Sequence, residues 1–153
     1  MSNIQRLGTS FERLNEVLSA YEADIDASPP RLQLKGKTLT KANEEQAGWY
    51  AYYDTKRVEL KALVKYLETR VAATRGRLYR QYTEVYSREL SDRMKDKYID
   101  HDVDYTTVQE VLIEVEEVYE KMHVVTEAFK TRGFALRNLT DIVVNQVSDY
   151  TIQ

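Results

Sequence analysis

Arginine and tyrosine side chains are interleaved in residues 70–88, which read RVAATRGRLYRQYTEVYSR. Guanidinium groups neutralise phosphates, and a tyrosine ring that stacks on an unpaired base contributes about 1–3 kcal/mol. At about 100° per residue, Arg75 and Tyr79 fall on one flank of a helix, whereas Arg70 and Arg77 fall on the other. This mixture of side chains is typical of a surface that binds single-stranded nucleic acid.

A second interpretation of the same segment fits its residues equally well. Aromatic side chains at helical spacing often form a packing surface, so the tyrosines could contact a neighbouring helix. The arginines would then pair with carboxylates from the acidic last third of the chain. The aromatic run Trp49–Tyr53 has the same two interpretations, because consecutive residues point to all sides of a helix.

The formal net charge of −3 over 153 residues conceals a strong partition along the chain. Residues 1–34 carry a net charge of −2, residues 35–97 carry +6 and residues 98–153 carry −7. A basic middle segment predicts an anionic partner for that part of the chain. The negative total does not oppose this prediction, because binding depends on the local patch of charge.

Cysteine is absent, which excludes disulfide frameworks, thiol nucleophiles and cysteine-ligated metal sites. The longest unbroken apolar run, Trp49–Tyr53, is far shorter than a membrane span, and no basic-then-apolar leader opens the chain. We therefore expect a cytoplasmic protein that contacts no membrane.

The sequence offers little support for catalysis. Gly36–Thr38 resembles the end of a phosphate-binding loop, but that motif requires a glycine where this chain has Arg31. The acidic connector Asp100–Asp104, which contains His101, is explained more simply as the start of a helix than as a metal site. No nucleophile with a nearby base can be assembled. We therefore expect a protein that is not an enzyme and has no cofactor and no metal site.

The scarcity of helix breakers predicts an all-α fold with long helices. The chain has two prolines and five glycines, and 31% of its residues are charged. Apolar spacing predicts a helix from Ile4 to Ile25 that Pro29-Pro30 ends, and in residues 31–40 a basic loop is favoured over a hairpin. One long helix, or two collinear ones, is expected from about Thr40 to Tyr98. Its seven-residue repeat consists of Val64, Val71, Leu78 and Val85, with Leu60 and Leu67 in companion positions.

A second long helix is predicted in the last third of the chain. Thr107–Glu110 has the spacing of a capping box, and the apolar stripe from Val108 to Phe129 then keeps a coiled-coil-like spacing. Gly133 is expected to break or bend this helix. The apolar residues of a shorter last helix are expected to pack outside their own subunit: Phe134, Leu136, Leu139, Ile142 and Val143. The predicted organisation is an N-terminal helix (1–30), a helical core (31–131) and an oligomerisation helix (132–153).

Three segments resemble the UvsY family of recombination mediators from T-even-like phages, over a match from about Leu14 to Gln146. Lys130–Arg137, KTRGFALR, is similar to the family's basic–Ser/Thr–Arg–Gly–Phe–Ala–Ile–Lys element. Arg75–Leu78, RGRL, is similar to its Lys–Ala–Arg–Leu element, which tyrosines follow in both. The upstream features Tyr21–Asp26, Leu39 and Trp49–Tyr53 stand in the family's order. The family often has a glycine-bearing loop after the tyrosines, whereas Thr83–Arg93 here predicts helix.

The resemblance implies a non-enzymatic homo-oligomeric ring, hexameric or heptameric, in the cytoplasm of a bacterial host. Such a protein binds single-stranded DNA, contacts the phage recombinase and the phage single-strand-binding protein, and helps to load the former in place of the latter. The family's DNA-contacting Lys and Arg correspond to Arg75 and Arg77, with Arg70, Arg80 and Tyr79 as supporting candidates. Its oligomerising C-terminal helix corresponds to about Arg132–Tyr150. The alternative function is a coiled-coil scaffold that binds only protein.

Overall fold

The computed structural model describes residues 13–145, and every regular element in that range is a helix. The elements are α1 (Leu14–Asp26), α2 (Ser28–Leu32), α3 (Leu39–Glu84), α4 (Asp92–Asp100) and α5 (Val103–Val144). The all-α prediction is therefore confirmed for this part of the chain. The predicted helical residues before Arg13 and the tail after Asn145 lie outside the described residues. Over residues 13–145, no helix combines the length and the apolar character that crossing a bilayer requires.

Proline and glycine set the connection between α1 and α3. Helix α1 ends at Asp26. Pro29 and Pro30 lie in the first turn of α2, where backbone N–H groups have no acceptor within the helix and their absence costs no hydrogen bond. Residues 33–38 form a loop, shorter than the predicted range 31–40, and Gly36 has a φ of +83°, which glycine adopts without a steric penalty. Lys37 ties the loop to α3, because its Nζ lies 2.7 Å from Glu45 Oε2.

Helix α3 runs for 46 residues and ends earlier than the sequence predicts. It begins behind Thr38, whose Oγ1 accepts a hydrogen bond from the Lys41 amide at 3.2 Å, as an N-cap does. The prediction that the helix continues through Thr83–Arg93 is wrong, because residues 85–91 form a loop. The chain restarts at α4 behind a second N-cap, Ser91, whose side chain accepts from the Met94 amide.

Helix α5 is continuous from Val103 to Val144, which corrects two predictions. Its start precedes Thr107, because Asp102 Oδ1 accepts the Asp104 amide at 2.9 Å and caps the helix there. Thr107 lies inside the helix, and its hydroxyl donates to the Val103 carbonyl at 2.7 Å. Gly133 lies inside this helix and does not divide it into two.

The described residues form two compact units. Unit 1 contains residues 13–15 and 59–119, and unit 2 contains residues 16–58 and 120–145. In unit 1 the buried apolar side chains include Leu60, Leu63, Leu67, Leu78, Leu90, Ile99, Leu112, Val115 and Val118. In unit 2 they include Leu18, Tyr21, Ala42, Tyr53, Met122, Val125, Phe129 and Leu136. Burial of one such large side chain stabilises the fold by about 1.5–3 kcal/mol.

The predicted seven-residue repeat of α3 is buried only in part. Leu60, Leu67 and Leu78 are buried, whereas Val64 and Val71 are half-buried. Val85 is 77% exposed in the loop after α3, so the repeat does not extend to it. The coiled-coil-like seam therefore stops before the end of the basic segment, and the last turns of α3 are left for polar contacts.

Candidate nucleic-acid interface

The last turns of α3 in unit 1 carry all five candidate DNA contacts. Arg70, Arg77, Tyr79 and Arg80 are exposed, and Arg75 is half-buried. Arg70 and Arg77 lie about 20° apart around the helix axis and Arg80 about 60° further on, so the three share one exposed sector. Arg75 lies on the opposite flank of the buried leucines, as the sequence predicts. We call these five residues the arginine face.

Arg75 is held by two carboxylates of α4. Its Nη2 lies 2.9 Å from Asp96 Oδ1, and its Nη1 lies 3.1 Å from Asp100 Oδ1. The guanidinium carbon also lies 5.6 Å from the centre of the Tyr105 ring. The hydrogen bond with Asp100, followed by the one with Tyr105, raises the pKa of Arg75. This side chain is a cation at every accessible pH, and it already has anionic partners.

Arg77 and Tyr79 also contact acidic residues of unit 1. Arg77 Nη2 lies 2.8 Å from Asp104 Oδ2, in the first turn of α5. The Tyr79 hydroxyl donates to Asp92 Oδ1 at 2.9 Å, and this hydrogen bond raises the pKa of Tyr79 and lowers the pKa of Asp92. The Tyr79 ring also makes a cation–π contact, with Lys95 Nζ 5.1 Å from its centre.

The other tyrosines of the basic segment pack mainly on one another. The ring centres of Tyr82 and Tyr86 are 5.8 Å apart, and those of Tyr82 and Tyr98 are 5.6 Å apart. Burial, followed by the nearby charge of Asp102, raises the pKa of Tyr82. Tyr86 is 45% exposed and Tyr98 is 39% exposed, so the cluster is a surface cluster with accessible edges. The packing interpretation therefore holds for these rings, while their exposed edges remain accessible to solvent.

Arg70 and Arg80 differ from their neighbours, because neither makes an ion pair or hydrogen bond with another side chain described in the structure. Both side chains are exposed on the same sector as Arg77. They are therefore the two cations of the arginine face that need release no carboxylate of residues 13–145 before they contact a phosphate. Arg75 and Arg77, which the resemblance favours, are paired with three carboxylates between them.

The aspartates that contact Arg75, Arg77 and Tyr79 were not among the candidate site residues. Asp92, Asp96, Asp100 and Asp104 recur every four residues, and that spacing is visible in the sequence. The sequence places Asp92 and Asp96 in the long helix and Asp100 and Asp104 in the acidic connector after it, because nothing local shows that α4 folds back beside α3. Among residues 13–145, no group of three or more acidic or histidine side chains is placed to hold a metal ion.

The KTRGFALR element is a packing joint in unit 2. Arg132 is 4% exposed, and its Nη1 donates to Gln46 Oε1 at 2.6 Å and to the Ala42 carbonyl at 3.3 Å. Its Nε donates to the Leu32 carbonyl at 3.2 Å, so one guanidinium joins α2, α3 and α5. Desolvation lowers the pKa of this buried group.

A close contact between α3 and α5 explains why a glycine stands at position 133 inside a continuous helix. A Cβ atom at this position would lie 2.9 Å from Gln46 Nε2. Gln46 is itself fixed, because its Nε2 donates to the Phe129 carbonyl at 2.6 Å and its Oε1 accepts from Arg132. The glycine therefore permits a close approach of α3 and α5, and the adjacent packing holds the helix together.

The predicted oligomerisation residues fall into two groups. Leu136 is 1% exposed and belongs to the core of unit 2. Phe134, Leu139, Ile142 and Val143 are 57%, 43%, 37% and 63% exposed, respectively, on the last turns of α5. Two grooves of unit 2 reach this surface. One, of about 400 Å³, is lined partly by Phe134 and Tyr50, and the other, of about 190 Å³, partly by Leu139 and Val143.

Comparison of the chain with models of protein families, with curated proteins and with solved structures gave no match in any of the three.

Proposed function

We propose that this protein is a recombination mediator of the UvsY type. It binds single-stranded DNA and promotes loading of a phage recombinase onto strands covered by the phage single-strand-binding protein, in the cytoplasm of the bacterial host. It acts as a homo-oligomeric ring, hexameric or heptameric, and has no catalytic step, cofactor or metal. The exposed arginine face is the observation that carries this proposal.

The arginine face supports strand binding by its chemistry and its exposure. Four guanidiniums and an exposed tyrosine ring lie within three turns of one helix, Arg70 to Arg80. Single strands are bound by this combination, because cations track the backbone while aromatic faces accept bases. The tyrosine cluster around Tyr82 stands next to these residues in the same unit and adds exposed aromatic edges.

The packing role of Arg132 and Gly133 supports the family resemblance. A short sequence element can match by chance when any polar or small residue would serve at its positions. Here the arginine donates to three acceptors and a Cβ at the glycine would lie 2.9 Å from Gln46 Nε2, so both identities have a physical reason. The element that is most specific to the resemblance is thus also an element whose residues the fold requires.

The exposed apolar end of α5 supports self-association. Phe134, Leu139, Ile142 and Val143 leave apolar side chains exposed over the last turns of α5, which another chain could cover. A ring would bring several arginine faces onto one strand, and effective concentration would then raise the affinity well above that of one face.

The test is a titration of fluorescent oligo(dT) with the full chain across a salt series. With about four phosphates neutralised per chain, affinity should fall roughly 50-fold between about 50 and 200 mM salt, because binding releases condensed counterions. Arg75→Ala/Arg77→Ala should weaken binding and make the salt dependence about half as steep. Addition of the protein should also speed the recombinase's displacement of single-strand-binding protein from the oligonucleotide.

Lys61→Ala/Lys65→Ala is the matched control, because both residues are exposed cations of unit 1 outside the arginine face. This variant should retain most of the wild-type affinity. Equal losses in the two double variants would mean that only net charge matters and would remove the site assignment. A wild-type protein that binds no oligonucleotide even at low salt would overturn the proposed function.

A second candidate function is a helical scaffold that binds only protein. One observation favours it: Arg75, Arg77 and Tyr79 each contact a carboxylate of their own unit, as expected if these residues serve only to hold α4 and the start of α5 against α3. The same titration separates the two functions, since a scaffold would bind no oligonucleotide at any salt concentration while its association with protein partners persisted.

A further inference from the structure

An acidic arm lies along the arginine face of unit 1. The arm consists of α4 and the first turn of α5, and its four aspartates recur every four residues: Asp92, Asp96, Asp100 and Asp104. Each of them contacts a residue of the arginine face through a carboxylate oxygen, at 2.8–3.1 Å from Arg75, Arg77 or the Tyr79 hydroxyl. Three of the five candidate DNA contacts are thus occupied by the protein itself.

These carboxylates occupy positions that phosphate oxygens would need. Arginine binds carboxylate and phosphate through the same N–H donors, at the same distances and with the same charge complementarity. Three aspartates face two guanidiniums here, so the pairs carry no surplus positive charge that would attract a distant phosphate. A phosphate can take the donors that Arg75 and Arg77 now share with the aspartates only if it displaces those carboxylates.

The pairs are weak enough to be displaced. The side chains of Arg75 and Arg77 are 40% and 54% exposed, and those of the three paired aspartates are 54–60% exposed. Exposed ion pairs contribute about 0–1 kcal/mol each, so water and salt already compete with them. Arg70 and Arg80 make no such pair among the described residues and can contact a strand first.

We infer that the acidic arm is an internal competitor of single-stranded DNA for the arginine face. In the absence of a strand, Asp96, Asp100 and Asp104 hold Arg75 and Arg77, and bound phosphates replace these three carboxylates. This inference rests on the proposed function and adds its regulation. A short oligonucleotide contacts only Arg70 and Arg80, whereas a long strand held by several chains displaces the acidic arm.

The experiment compares two variants with the same change in charge. Asp96→Asn/Asp100→Asn/Asp104→Asn removes the competitor, whereas Glu68→Gln/Glu110→Gln/Glu114→Gln neutralises three exposed carboxylates of unit 1 that contact no residue of the arginine face. Oligo(dT) affinity is measured by fluorescence anisotropy for both variants and for the wild-type chain at the same salt concentration. The aspartate variant should bind about tenfold more tightly than the glutamate control, as expected when three exposed pairs no longer need to be broken.

Further variants show whether the gain in oligo(dT) affinity depends on Arg75 and Arg77. Addition of Arg75→Ala/Arg77→Ala to the aspartate variant should abolish the gain, and persistence of the gain would overturn the inference. Circular dichroism reports whether each variant folds. If the triple aspartate variant loses helix, Asp104→Asn alone, compared with Glu110→Gln alone, should still bind about two- to threefold more tightly.

The outcomes separate this inference from the proposed function. Wild-type binding with steep salt dependence, together with an aspartate variant no tighter than the glutamate control, would overturn the competitor and leave strand binding intact. If neither the wild-type chain nor the aspartate variant binds oligo(dT), both the proposed function and the competitor are overturned. Tighter binding by the aspartate variant alone, lost on removal of Arg75 and Arg77, supports both.

Discussion

A methyl group is the smallest side chain that can be added, and at Gly133 it would lie 2.9 Å from Gln46 Nε2. Alanine normally stabilises a helix interior by about 1 kcal/mol relative to glycine. At Gly133 this gain is offset, because Gln46 must move away from the Phe129 carbonyl and from Arg132. We expect Gly133→Ala to lower the free energy of unfolding by about 1 kcal/mol, measured by urea denaturation.

Gly76 provides the matched control, since a Cβ there meets nothing within 4 Å and the residue also lies inside a long helix. Gly76→Ala should raise the free energy of unfolding by about 0.5–1 kcal/mol. If both variants were stabilised to the same extent, the close approach of α3 and α5 at Gly133 would not be a constraint in solution.

At the scale of elements, one ion pair fixes the loop before α3 and gives stability a defined pH dependence. The hydrogen bond from Lys37 lowers the pKa of Glu45, so the carboxylate is favoured in the folded chain. A lowered folded-state pKa stabilises the fold above the unfolded-state pKa, and the effect disappears as the pH falls through the folded value. Glu45→Gln should therefore reduce stability at pH 7, and the difference from wild type should shrink as the pH falls below the ordinary glutamate pKa and the carboxylate becomes protonated.

The check is urea denaturation of both proteins at neutral and at acidic pH. Glu44→Gln is the control, because Glu44 is exposed beside Glu45 and makes no ion pair with a described residue. It should show little difference from wild type at either pH. A Glu45→Gln penalty that remained constant down to pH 3 would mean that packing, not charge, accounts for the effect.

The helices themselves could largely be predicted from sequence, because their signals are local. The breaker-poor stretch before Glu84 and the three-four stripe ending at Phe129 are both visible without a structure, and both lie in long helices. The errors occur where two local signals compete. Asp102 caps α5 ahead of the capping box at Thr107, and Ser91 starts a new helix where the composition alone favours continuation.

The candidate site was less predictable, because its partners are distant in sequence. The arginines were found from their own spacing, but their pairing with Asp96 and Asp104 depends on α4 and α5 lying beside α3 in unit 1. The role of Arg132 was missed for the same reason, since its acceptors at Leu32 and Ala42 are about a hundred residues earlier. Side-chain type indicated the chemistry, whereas the fold determines which groups are already satisfied.

For the whole molecule, the remaining question is what covers the exposed apolar side chains on the last turns of α5. Phe134 and Val143 are 57% and 63% exposed, on the helix that the resemblance assigns to self-association. Phe134→Ser/Val143→Ser should leave unit 2 folded, because neither side chain is buried in its core, and should yield smaller species by light scattering. Oligo(dT) affinity should fall about a hundredfold with the loss of effective concentration.

Ile113→Ser/Val124→Ser is the appropriate control for this experiment. These two α5 side chains are 59% and 66% exposed, similar to the test pair, but they lie outside the predicted oligomerisation segment. The control should keep both the mass and the affinity of the wild-type protein. A Phe134→Ser/Val143→Ser protein that also kept both would show that the chain associates through another surface, or that one arginine face is sufficient to hold the strand.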